Sequence, residues 1–235
     1  MKLPTIALTS LALALLSSCA SVSVKTEKHN GHQPTQKPAK IYVTNFDTQH
    51  GVYKIAGSES KDPEAFKKKT AETLANYLNK GIDQHVAPAQ RASSAKGLPK
   101  NGWLVTGEFV RVNTGSRLLR SGVGLGAGGS KMETRVSVID LSSSAQPFLT
   151  FETTGGSNAM PGLMSSTGPG SAAFSMATQA MMGVTDDAAR TSRMITGELA
   201  EYLVERGWLS KEKAYSAKKL GKYQLVHEHY THLGQ

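Results

Sequence analysis

Few side chains in this chain have the type and spacing to do chemistry. There is one thiol, Cys19, placed directly after Leu16-Ser17-Ser18. A single cysteine cannot close an intramolecular disulfide, and a thiol is the side chain best suited to forming a thioether. Two guanidinium groups, Arg117 and Arg120, precede the spaced glycines Gly122, Gly124 and Gly126. Such a pair can grip a phosphate, a lipid head group or a partner carboxylate. It can equally fix its own loop through surface ion pairs. The glycines permit positive φ or close backbone approach. Imidazoles gather near the end of the chain at His227, His229 and His232. Imidazole suits Zn, Cu or Ni, but a terminal tail is seldom a preorganised site, so no metal is assigned. No catalytic residue is assigned either. The serines lie in Gly/Ser/Ala-rich segments, and Gly170-Ser171 lacks the G-x-S-x-G surroundings of a nucleophile elbow.

The elements that would position these groups begin with a leader. Lys2 supplies a positive start, and Leu3 to Leu16 is mostly apolar. That run is shorter than the about 20 apolar residues needed to span a bilayer, and its layout is that of a secretory signal. Leu16-Ser17-Ser18-Cys19-Ala20 resembles the bacterial lipobox, in which small residues precede an acylated cysteine. The resemblance implies cleavage after residue 18, lipid on Cys19, and, with Ala20 rather than an acid next, an outer-membrane location facing the periplasm. The expected organisation is a signal peptide at 1–18, a lipidated disordered tether at 19–40, an α+β interaction domain at 41–208 and a basic tail at 209–235.

The formal charge is +9 and aromatics are only 6%. For an exported chain this excludes a nucleic-acid partner and leaves an anionic envelope surface or plain solubility as the reasons for the basic balance. Ile41 to Phe46 reads as a strand, and Asp47 to Lys61 as a loop. Asp62-Pro63-Glu64 opens a helix that ends at Gly81, with Phe66, Leu74, Tyr77 and Leu78 on one face. Strands follow at Trp103 to Asn113, Met132 to Leu141 and Phe148 to Thr153. In the second of these, Thr134, Val136 and Val138 alternate with Glu133, Arg135 and Ser137. Thr185-Asp186-Asp187 caps a second helix carrying Ile195, Leu199, Tyr202 and Leu203 and stopping at Gly207. The fold class is α+β: an antiparallel-rich sheet of about four strands covered by two helices.

Two glycine-rich insertions interrupt this framework, Asn113 to Lys131 and Gly155 to Gly183. The first is not read as a dinucleotide fingerprint, because that motif needs a helix after the glycines and a strand follows here; no cofactor is expected. The second carries Met160, Met164, Met176, Met181 and Met182 among small residues. It reads as a mobile loop or as a membrane- or partner-contacting one, since Met packs adaptably against apolar surfaces.

Gly107-Glu108-Phe109, Arg117 with Arg120, the run Gly122 to Gly128, and the strand end Val138-Ile139-Asp140 resemble a bacterial outer-membrane lipoprotein family known only as a domain of unknown function, over roughly Lys40 to Trp208. More distantly the order of elements, ending in Gly207-Trp208-Leu209, is similar to the curli-secretion channel lipoprotein, to the amino-terminal domain of the Tol-system periplasmic protein and to a lipoprotein activator of peptidoglycan synthases. The resemblance implies a lipid-anchored, non-catalytic envelope accessory or assembly protein that binds a protein partner or an envelope polymer. The alternative it implies is a subunit of an oligomeric export complex. An envelope hydrolase ranks third.

Overall fold

The computed structural model describes residues 22–115, 130–143, 146–157 and 171–215. Its strands are β1 (Val22–His29), β2 (Ile41–Val43), β3 (Val52–Lys54), β4 (Ala89–Arg91), β5 (Trp103–Asn113), β6 (Ser130–Asp140) and β7 (Pro147–Ser157). The helices are α1 (Pro63–His85) and α2 (Ser171–Glu205), with a short 3-10 turn at Gly57–Lys61. The strands form one seven-stranded sheet in the order β1-β7-β6-β5-β2-β4, with β3 also paired to β5. Pairings β1/β7, β7/β6 and β6/β5 are antiparallel, whereas β2/β5, β2/β4 and β3/β5 are parallel.

The α+β class holds, but the sheet is mixed and larger than the sequence patterns indicate. β3 and β4 have three residues each, too few to display a period of two. β1 corrects the expectation of a disordered tether. Its sequence VSVKTEKH is polar because it is an edge strand, and charged residues with a bulge between Val24 and Thr26 blunt such an edge. The segment after it is also held down. Gln33 donates from Nε2 to the carbonyls of Asn30 (3.0 Å) and Phe148 (3.1 Å), and its Oε1 accepts from the Tyr202 hydroxyl at 2.9 Å. Arg206 donates to the Pro34 carbonyl at 2.7 Å.

Helix α1 starts as the sequence indicates, with Asp62 Oδ1 accepting from the Ala65 amide at 3.0 Å. It does not stop at Gly81 but runs to His85, where Val86 and Pro88 end it. Gly81 is a contact residue: a Cβ there would lie 2.7 Å from Thr196 Oγ1, so the missing side chain lets α1 and α2 approach. Helix α2 begins at Ser171 rather than near Thr185, and Gly155–Ser157 complete β7, so both ends of the second glycine-rich insertion are regular structure, while 158–170 lie outside the described residues. Ala, Met and Gln are good helix formers, which the low-complexity appearance of this stretch conceals. The helix ends as expected, with Gly207 at φ 71° and the Trp208 amide donating to the Leu203 carbonyl at 2.8 Å. The fold also runs past 208: Leu209 and Tyr215 pack on the core, Tyr215 stacking on His85 with ring centroids 4.3 Å apart.

One face of the sheet meets both helices. Val105, Val136, Val138, Leu149 and Phe151 share a core with Leu74, Leu78 and Ile82 of α1 and with Ile195, Leu199 and Leu203 of α2. At one end Trp103 sits edge-on to Phe148 (4.8 Å) and Tyr202 (5.8 Å). Burying aromatics of this size dominates the stability of such a core.

Candidate functional site

The residues singled out for chemistry in the sequence lie outside the described residues: Cys19, Arg117, Arg120, Gly122, Gly124, Gly126, His227, His229 and His232. The structure does define what flanks the Arg-and-glycine segment. β5 leaves at Asn113 and β6 begins at Ser130, and the two strands are antiparallel neighbours with Asn113 opposite Lys131. The glycine run therefore joins paired strands, whereas the dinucleotide fingerprint joins a strand to a helix. The leaving strand is pinned: the Ala56 amide donates to Thr114 Oγ1 at 2.9 Å, and Asn113 Oδ1 accepts from the Gly115 amide at 2.9 Å.

At the start of β6 a polar seam enters the covered face. Asp187 on α2 is buried, with 1% of its surface exposed, and its Oδ1 accepts from Arg190 Nη1 at 3.0 Å. Burial pushes this carboxyl up to about 6, against the pull of a hydrogen bond from Ser130 and of the Arg190 charge. Further along, the hydroxyls of Thr134 and Thr153 meet at 2.7 Å, fully buried between β6 and β7. The sequence gives Asp187 a capping role. In the structure it lies well inside a helix and faces the sheet, which no local pattern reveals.

The other sheet face carries a ladder of charge that strand alternation does announce. Glu108, Arg135 and Glu152 stand opposite one another on β5, β6 and β7. Arg135 Nη1 reaches Glu108, while its Nε and Nη2 donate to Glu152 Oε1 at 3.0 and 2.9 Å. The next row holds Arg111, Glu133 and Thr154. Glu133 is 3.5 Å from Arg111 and 2.7 Å from Lys131, and it accepts from Thr154 Oγ1 at 3.1 Å. Partial burial works to raise the Glu133 carboxyl, but Lys131, Thr154 and Arg111 together hold it below its ordinary value. On the other side of the Arg135 row, Thr106, Ser137, Thr150 and Lys28 are aligned. Together these make a flat surface of both charge signs and hydroxyls. It can donate and accept hydrogen bonds along its length, and the charges of the Arg135 and Glu133 rows are paired with one another.

Among the described residues no group of three His, Cys, Asp or Glu side chains could hold a metal ion, and no helix is long and apolar enough to cross a membrane.

None of the curated proteins matches the chain. Among solved structures, a PelC dodecamer from Paraburkholderia phytofirmans is similar at 14% identity and a TM-score of 0.35, covering 72% of this chain and 96% of that one. A protein described as a neuraminyllactose-binding hemagglutinin homolog from Helicobacter pylori is similar at 13% identity and a TM-score of 0.40, covering 74% and 92%. A family model described as a domain of unknown function, DUF4410, matches residues 41–183, β2 through the first part of α2, and the chain belongs to that family.

Proposed function

We propose that the protein is a lipid-anchored, non-catalytic accessory or assembly component of the bacterial envelope, held on the outer membrane through Cys19, whose open sheet face binds a protein partner or an envelope polymer. The observation that carries this reading is the one-sided layering of the sheet. Both helices pack on one face, and the rows around Arg135 on the other present paired charges and hydroxyls without a helix over them among the described residues. Charges neutralised by their own neighbours are poor acids, bases or nucleophiles, but they give register and specificity to a polar partner. The apolar run ending in Leu16-Ser17-Ser18-Cys19 supports the anchor, since two or more acyl chains suffice for stable attachment.

The test has two parts. Cells making the wild-type chain or Cys19→Ser are labelled with radioactive palmitate and fractionated. Label on the wild type alone, in the outer membrane, is expected; label on both or on neither contradicts the anchor. Replacing Arg135 and Lys131 by Glu then leaves the ladder predominantly acidic. Loss of cross-linked adducts to the mature protein, with its folding intact, is expected, and unchanged adducts would contradict the open face as the binding surface.

A further inference from the structure

The sheet register fixes where the anchor must emerge, and this inference rests on the lipid-anchor reading above. Val22 pairs with Gly155, Gly155 with Met132, Met132 with Val112 and Val112 with Tyr53. These residues form one transverse row across five strands. Only three steps of chain separate Cys19 from this row, a reach of at most about 11 Å. A free tether running to Lys40 would instead reach about 70 Å. The opposite row, His29-Leu149-Val138-Val105-Val43-Arg91, lies about 24 Å further along the strands.

We infer that the Val22–Tyr53 end of the sheet is seated directly on the phospholipid leaflet, so that the domain stands upright on its membrane with its strands pointing away from it. The charge at this end agrees. The row and its two neighbours hold Lys54, Arg111 and Lys131 against one carboxylate, Glu133. Basic side chains on these strand rows are the ones an anionic lipid surface attracts. The connections β5 to β6 and β7 to α2 both leave from this same end. The seating also sets the orientation of the polar ladder, which then faces sideways along the membrane and not into it.

The experiment exploits the single cysteine. Once Cys19 is acylated, an introduced thiol is the only one available to a fluorophore. The full-length, lipidated protein is placed in phosphatidylethanolamine–phosphatidylglycerol vesicles containing a head-group quencher. Two variants are compared: Val52→Cys, whose parent is 53% exposed and sits beside the seated row, and Ser143→Cys, exposed at the far end. Several-fold stronger quenching at position 52 is expected. Inserting a long Gly-Ser segment between Ala20 and Ser21 should abolish that difference while the protein still floats with the vesicles. Equal quenching at both positions in an acylated, floating protein, or stronger quenching at 143, overturns the seating and leaves the anchor intact. A mature protein whose mass shows no acyl chains overturns the anchor and the seating together.

Discussion

The two faces of the sheet solve opposite problems with the same strands. Along β6 the inward residues Ser130, Met132, Thr134, Val136 and Val138 are buried against α2 and α1, while Lys131, Glu133, Arg135 and Ser137, one step away, reach a surface of ion pairs. The covered face gains from removing apolar area from water, which is worth roughly 25 cal/mol per Å². The open face gains little stability, because exposed pairs contribute about 0–1 kcal/mol each. On the proposed reading, stability and recognition are separated by a single residue step, and mutations on the two faces should have different signatures.

The largest effect is expected at the aromatic end of the covered face. Trp103→Ala removes a ring that contacts Phe148, Tyr202 and Trp208 and should cost about 3–5 kcal/mol in urea unfolding. A loss below about 1 kcal/mol would mean that the sheet end is held by something other than this cluster.

The polar seam breaks the simple contrast, and pH sharpens it. Folded Asp187 holds its proton up to about pH 6, against 3.8 for an ordinary aspartate. The native state therefore binds the proton more tightly than the unfolded state. The stability from this group is complete below pH 3.8 and is lost as pH rises through 6, a total on the order of 3 kcal/mol. Asp187→Asn keeps a neutral side chain at every pH. Between pH 4 and pH 7.5 the wild type should lose more stability than the variant by most of that amount, and parallel profiles would show that Asp187 is not held neutral by burial.

A smaller effect is expected where α1 and α2 touch. Gly81→Val pushes a side chain into Thr196 and should cost about 1–3 kcal/mol through overpacking. Pairing it with Thr196→Ala should recover part of the loss, and a neutral Gly81→Val would mean that the helices have room to part. The smallest effect belongs to the open face: Arg135→Ala should change unfolding free energy by no more than about 1 kcal/mol. A much larger loss would make the ladder a structural element and remove the contrast.

Most of the covered face was legible in the sequence. Leu74 and Leu78 on α1, the alternation through Val136 and Val138, and the stripe Ile195-Leu199-Tyr202-Leu203 all follow from periodicity, and each is buried. β1 was not legible, because a polar edge strand has the composition of a linker and only its pairing with β7 distinguishes the two. The amino-terminal half of α2 was hidden because it continues a Gly- and Ser-rich stretch, although its own Ala, Met and Gln favour helix. Asp187 was visible as a capping acid but not as a buried one, since burial depends on β6, far away in sequence. Of the candidate site, the ladder residues Glu133 and Arg135 were legible as an outward row, but their partners on β5 and β7 required the register.

The central claim, that the open face is what the domain offers to a partner, is tested most directly by photo-cross-linking in cells making the full-length chain. A photoreactive side chain is placed at Ser137, in the ladder, or at Glu201, exposed on α2. Discrete adducts from position 137 and none from position 201 are expected. Adducts from position 201 with none from position 137 would contradict the claim and assign recognition to the helical side.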